Sequence, residues 1–502
     1  MKRMTKGLAA LAGGLLLMSA AGCSWVGGSD IDRDEEQEAP VMSIAMRQEG
    51  DIPPKGNAIE RAIENYTGTK LQVQWIPRAA YDDKINLMIA AGEMPKLVRV
   101  EYTPTVIGAI KVGMFWEIGP YLQDYPNLAA QDPLYYDNIS VNGKRYGVPS
   151  FREMARSAVI YRKDWFDALG LSVPDSIEGW YETIKALTLG DPDRNGKNDT
   201  YGLMLFKRFS EGPYALTTRL SVSLGGPNKW AVDSEGRFTP EFMSKEYMDV
   251  LRLFRRLYAE KLINPDFAVF DQVDAEKEFD AGRVALRIGP AQNGKSQQDR
   301  LSNIAPASVV DVEPLRGPQG VRVAGEPGNL GFYLIPKSSV KTEEELKQVL
   351  AFLDKLMDPE MATLLLRGIE GVHFERLSDG STAFLDFTRF QREVKPYRDN
   401  LPQLEGYNVP KLKDTLLGEK GLRIVKENDA RRVDNPALSL YSPTYAEIGR
   451  QLDEQIWDAQ TRYIMGKIDD AGWEEEVRKW MESGGRRMIV EYEADYARRF
   501  KP

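Results

Sequence analysis

The residues best equipped for chemistry in this chain form one short run, Asp191-Pro192-Asp193-Arg194-Asn195-Gly196-Lys197-Asn198-Asp199. It sets oxygen-bearing side chains at the first, third, fifth and ninth places, and a glycine at the sixth, of a loop of the EF-hand type. A hard cation such as Ca²⁺ takes six to eight oxygens, and glycine permits the sharp turn. The carbonyl of Lys197 would serve at the seventh place, so the metal-binding candidates are Asp191, Asp193, Asn195, Lys197 and Asp199. Gly202 stands at the twelfth place instead of a bidentate glutamate, which implies modest affinity or an oxygen borrowed from elsewhere, Thr200 being the nearest source. The same run also reads as an Asp/Asn/Gly-rich surface turn.

Catalytic constellations have less to stand on. The single histidine, His373, has no cysteine partner, so a hydrolytic triad would have to be built around it alone, and a structural role is expected. No Gly-x-Ser-x-Gly elbow, P-loop or dinucleotide glycine fingerprint is present. Acidic residues are plentiful, so a carboxylate pair at glycosidase separation stays open.

The only cysteine, Cys23, cannot form an internal disulfide, and its position gives it another use. Lys2, Arg3 and Lys6 precede an uncharged apolar run from Leu8 to Ala21, the pattern of an export signal. Ala20-Ala21-Gly22-Cys23 resembles a bacterial lipobox, which makes Cys23 the lipidated amino terminus after removal of residues 1–22. Residues 24–40 are acidic and aperiodic, a flexible tether. Loss of the leader makes the formal charge of −9 three units more negative, which disfavours nucleic acid and anionic lipid surfaces. Beyond the leader no apolar stretch reaches bilayer length, so the lipid alone should hold the body to a membrane.

In the body, Val41–Met46 reads as a strand, Ile59, Ala62, Ile63 and Tyr66 as a helix ending at Gly68, and Leu71–Ile76 as a strand. A helix with Ile85, Met88 and Ile89 stops at Gly92 before a strand at Leu97–Val100. This alternation predicts an open parallel sheet and an α/β class. A second α/β region begins near Ser157, with a strand at Tyr201–Leu205, a long amphipathic helix carrying Tyr247, Val250, Leu251, Phe254 and Leu257, and strands at Arg283–Ile288 and Gly331–Ile335. Capping boxes at Thr342–Glu345 and Thr444–Glu447 open helices of a helix-rich carboxyl-terminal third.

Several pieces in order carry a resemblance to a known family. They are Ala90-Ala91-Gly92-Glu93-Met94-Pro95, Asn142-Gly143-Lys144-Arg145-Tyr146-Gly147-Val148-Pro149, Ile160–Leu171, Gly368–Phe374 and Ser442–Glu447. With the lipobox, nearly the whole mature chain resembles the family 1 extracellular solute-binding lipoproteins of bacterial ABC sugar importers, and is similar to alginate-oligosaccharide-binding and maltose-binding proteins. The resemblance implies a periplasmic-binding-protein-like fold of two lobes joined by a hinge. It divides the body into residues 41–157 (first lobe), 158–283 (second lobe), 284–333 (a return to the first lobe) and 334–502 (second lobe and terminal helices). It also implies a structural calcium ion in the loop at 191–199.

Ligands of open α/β sheets sit beyond the carboxyl ends of the strands, and sugars want aromatic faces with planar hydrogen-bonding groups. Loops after strands therefore supply the ligand-binding candidates Arg47, Glu101, Tyr102, Arg152, Phe206, Arg208, Gln292 and Asn293. Trp230, after the turn Gly225-Gly226-Pro227, joins them, while Trp116, Trp165, Trp180, Trp457, Trp473 and Trp480 are expected in cores. Relatives carry aromatic residues near Ala291-Gln292-Asn293, and their absence here removes a stacking platform. Arginines among the candidates suit an acidic sugar.

The expectation is a monomeric, non-enzymatic receptor, lipid-anchored on the outer face of a Gram-positive cell membrane. It would hand an oligosaccharide, uronate-containing in one version, to the transmembrane subunits of an ABC permease. The alternatives are a lipid-anchored polysaccharide lyase or hydrolase, and a sensor partner of a membrane kinase.

Overall fold

The structure, a computed structural model, describes residues 39–500. The leader, Cys23 and most of the tether lie outside them.

The strands of the body are β1 (Val41–Gln48), β2 (Lys70–Pro77), β3 (Leu97–Val100), β4 (Gly147–Phe151), β5 (Ser157–Arg162), β6 (Leu286–Pro290), β7 (Val310–Pro314) and β8 (Asn329–Leu334), besides short two-stranded ribbons. The first sheet runs β2-β1-β3-β8-β4, with β1 parallel to β2 and β3 as the sequence predicts, and β8 antiparallel to both neighbours. Both faces are covered. Met42, Ile44 and Met46 of β1 point into one core with Ile59 and Ile63, while Ala45, Val98, Val100, Phe332 and Leu334 enter the other with Tyr81, Ile85 and Ile89. Period-two alternation of apolar residues, buried on both sides, is the cause. Asn57 caps the helix Ala58–Thr67 by accepting from the N–H groups of Ile59 and Glu60, and Gly68 ends it at φ 71°.

The second sheet, β6-β5-β7, is antiparallel throughout. One face packs Val159, Tyr161, Leu286 and Ile288 against the helices Ile177–Leu189 and Lys245–Ala259, whose expected apolar stripe is buried. The helices Pro443–Ile464, Asp470–Trp480 and Arg486–Phe500 complete that core, giving the helix-rich carboxyl-terminal region.

Two domain boundaries are corrected. Residues 284–333 do not return to the first lobe as one piece, because β6 and β7 flank β5 in the second sheet and only β8 enters the first. Nor does 334–502 belong to the second lobe as a block. Helix Glu343–Lys355 buries Leu346, Val349, Leu350 and Leu353, one helical stripe, in the core beneath β1, and Met361, Leu365, Phe390 and Tyr397 follow it there. The run Tyr201–Leu205 forms only an isolated bridge, Tyr201 with Val284.

Of the two capping boxes, Thr342–Glu345 forms. The second does not, since Ser442 caps the late helix while the Thr444 hydroxyl donates to Glu491 at 2.8 Å.

Candidate functional site

Among the described residues the chain crosses from the first sheet to the second between β4 and β5 and back between β7 and β8, and the crossings are stitched together. Arg156, just before β5, pairs with Glu326, just before β8. Val323–Ala324 runs parallel to Arg432–Val433, and Asn228 donates to the carbonyls of both Gly325 and Val433 at 2.8 Å. Beside this seam opens a cavity of about 800 Å³. The first lobe lines it with Glu101 and Tyr102 after β3, Arg152 after β4, and Asn329 and Leu330 of β8; the second with Tyr214, Trp230, Tyr445, Asp453 and Trp457. Gly331, at φ 93°, lets β8 pass here, since a Cβ would run into the carbonyl oxygen of Val100.

Four of the nine sequence-derived ligand candidates, Glu101, Tyr102, Arg152 and Trp230, share this cavity. Tyr102 holds the carbonyl of Ser140 at 2.8 Å, and burial pushes its hydroxyl up to about 12. Trp230 is half-buried, its ring edge-on to Tyr492 at 5.2 Å. Arg47 lines a separate small pocket with Asn400, where Asp82 and Glu101 accept from its guanidinium at 3.0 and 3.2 Å and the Tyr81 ring lies 4.8 Å away. Its Nη2 is thus committed to two carboxylates of the protein itself.

The other candidates stand elsewhere. Phe206 packs on the second-lobe core, and exposed Arg208 borders a separate surface pocket with Asp271. Gln292 and Asn293 begin the helix Asn293–Ser302, where Gly421 of a neighbouring helix packs against Ala291 and Gln292; β6 does not lead toward the cavity.

Sequence reasoning missed a stripe on the helix Pro443–Ile464. Tyr445, Asp453 and Trp457 are spaced by eight and four residues, so they share a face, and that face lines the cavity. Trp457 is therefore half-buried at the cavity and not a core residue. Tyr445 is 41 % exposed, and its hydroxyl donates to Asp453 at 2.9 Å. Gly449 makes this possible, because a side chain there would occupy the space of the Tyr445 ring lying along the helix. Burial pushes the Asp453 carboxyl up from 3.8 to about 6.

His373 is fully buried at the first-lobe periphery. Its Nδ1 accepts from the Ile369 N–H at 2.9 Å and its Nε2 faces Glu393 at 3.3 Å. The proton therefore sits on Nε2, both nitrogens are occupied, and burial lowers the pKa.

In the loop at 191–199, Asp191 accepts from the N–H groups of Asn195 and Gly196 at 3.0 and 3.1 Å, so the chain wraps back on its first residue. The Asn195 amide donates to Asp193 and Asp199 at 2.7 and 3.0 Å, drawing the three side chains together. Gly196 takes φ 75°. This donor set fits a hard cation. Among the described residues no three acidic, histidine or cysteine side chains form a ready cage, so the loop would have to tighten around an ion. The Thr200 hydroxyl donates to the Leu187 carbonyl at 3.2 Å, which leaves its oxygen lone pairs uncommitted.

Comparison with known proteins gives consistent findings. The family model for bacterial extracellular solute-binding proteins matches residues 50–363. The lipoprotein LipO of Bacillus subtilis is 36 % identical over 485 residues, covering 95 % of each chain. The polygalacturonan/rhamnogalacturonan-binding protein YtcQ of the same organism is 34 % identical, covering 94 % of this chain and 95 % of its own. Among solved structures, an HMO-binding solute-binding protein associated with an ABC transporter, from Bifidobacterium longum infantis, superposes with a TM-score of 0.73 at 15 % identity, over 92 % of this chain and 99 % of its own. At that identity it speaks for the two-lobed fold alone.

Proposed function

The chain belongs to the bacterial extracellular solute-binding proteins, and we propose that it captures an oligosaccharide in the cavity between its lobes and delivers it to the permease of an ABC importer. The observation that carries this reading is the cavity itself. At about 800 Å³ it lies high in the ~300–1,000 Å³ range of small-molecule sites, room for several sugar rings. Its walls offer Trp230, Tyr214, Tyr445 and Trp457 as aromatic surfaces, with Asn329, Arg152 and Asp453 for hydroxyls. Closure of the lobes about the crossings would trap the sugar.

A uronate-containing ligand is the preferred class, supported by the 34 % identity to a polygalacturonan/rhamnogalacturonan-binding protein. The protein acts by binding and not by turnover, a reading supported by the committed nitrogens of His373. It is anchored outside the cell membrane through lipidated Cys23, consistent with the lipoprotein relative and with the lack, among the described residues, of any helix long and apolar enough to cross a membrane. The loop at 191–199 holds a structural Ca²⁺ remote from the sugar.

Calorimetry of the purified protein against neutral and acidic oligosaccharides tests the reading. Stoichiometric binding with no new reducing ends or unsaturated products is expected. Failure to bind any saccharide, with binding of a peptide instead, would overturn it.

A further inference from the structure

One wall of the cavity carries an unbalanced charge. The guanidinium groups of Arg152, Arg156 and Arg219 gather around the Tyr214 ring, 5.8, 5.9 and 5.8 Å from its centroid. A single buried carboxylate, Glu326, bonds two of them. Arg156 donates to one oxygen at 2.8 Å and Arg219 to the other at 3.2 Å. Arg152 is left over: its side chain has no hydrogen bond or ion pair with any described residue, although it is half-buried and lines the cavity. Glu153 is its only other carboxylate neighbour of electrostatic weight.

An uncompensated guanidinium in a partly dry wall is costly unless something pairs it. Burial and the neighbouring charge of Arg156 both disfavour its charged form, which an anion would reverse. The fork of one arginine matches the two oxygens of a carboxylate in plane. A phosphoryl group, with more charge and three oxygens, would call for several free donors, and Arg156 and Arg219 are already engaged by Glu326.

We propose that Arg152 is the residue by which this cavity recognises a carboxylate, so that the chain takes oligosaccharides bearing an unesterified uronate. Arg156 and Arg219, held by Glu326, are positioning residues that keep the wall positive and leave Arg152 as the free fork. The inference rests on the saccharide reading above. Esterification removes the anion, so any ester on the polymer must be hydrolysed before a fragment is accepted.

The test compares trigalacturonate, its methyl ester and neutral galactotriose by calorimetry, on the wild type, Arg152→Gln and Arg152→Lys. The wild type should bind trigalacturonate at least tenfold more tightly than either uncharged sugar, with the advantage shrinking as salt rises. Arg152→Gln should abolish the advantage and Arg152→Lys keep part of it, both melting as cooperatively as the wild type. Equal wild-type affinity for all three sugars would overturn the subsite and leave the saccharide reading intact, and so would a preference that survives in a folded Arg152→Gln. If the wild type binds none of the three, the uronate subsite falls, and only silence across a broad saccharide panel takes the wider reading with it.

Discussion

Arg156 and Glu326 are 170 residues apart in sequence, yet the guanidinium Nε lies 2.8 Å from the carboxylate Oε2, closing the seam where two crossings between the lobes run side by side. Glu326 also accepts from Arg219, so one carboxylate holds two buried cations and offsets the charge of only one of them. Replacing it by glutamine should cost about 3–5 kcal/mol, the penalty for stranding a buried charge. Urea denaturation would measure it, and a loss below about 1 kcal/mol would mean that water already reaches the pair.

Asp453 gives the cavity a pH dependence. Its carboxyl titrates near 6 in the fold against 3.8 ordinarily, because burial disfavours the anion. The fold thus binds this proton more tightly than the unfolded chain does. Its contribution is full below about pH 4 and is lost as pH rises through about 6. Asp453→Asn should match the wild type near pH 4 and exceed it at pH 7 by on the order of 1–3 kcal/mol. Parallel stability curves for the two proteins across that range would show that the carboxyl titrates normally.

Gly449→Ala isolates the Tyr445 contact. Alanine favours a helix interior over glycine by about 1 kcal/mol, so a surface position would gain stability. Here the methyl group would displace the Tyr445 ring and break its bond to Asp453. The expected outcome is weaker saccharide binding without the usual gain in melting temperature. A more stable variant with unchanged affinity would place the ring outside the ligand's reach.

Calcium should stabilise the protein by mass action, roughly 2.7 kcal/mol when free metal is a hundredfold above its dissociation constant. Chelator should lower the melting temperature. Asp193→Ala and Asp199→Ala should each erase most of that response while leaving sugar affinity nearly unchanged. Identical melting with and without chelator would reduce the loop to a polar turn.

Legibility from sequence followed the range of the forces involved. The helix Ala58–Thr67 and the stripe on Lys245–Ala259 are readable because capping and amphipathic period act within a few residues. The partner of β6 is not readable, since an apolar run shows that a strand is buried but not in which sheet. Tyr445 was visible inside a family-like stretch, and its spacing to Asp453 and Trp457 marks one helical face. What the spacing lacks is the direction of that face, which the packing of three terminal helices decides. Arg47, a natural candidate after β1, was lost to carboxylates that distant parts of the chain supply.

The place of β8 also sets an order of assembly. It lies between β3 and β4, so the first sheet stays split into two parts until residues 329–334 arrive. By then β5, β6 and β7, all earlier in the chain, can already have paired. A polypeptide emerging amino end first would thus begin its first lobe, complete the sheet of its second, and only afterwards close the sheet it began with. The early strands must wait with β3 and β4 edges unpaired, the state in which strands aggregate. Truncation just before Asn329 should therefore abolish the native first lobe, and extracytoplasmic folding helpers would act chiefly on residues 41–151.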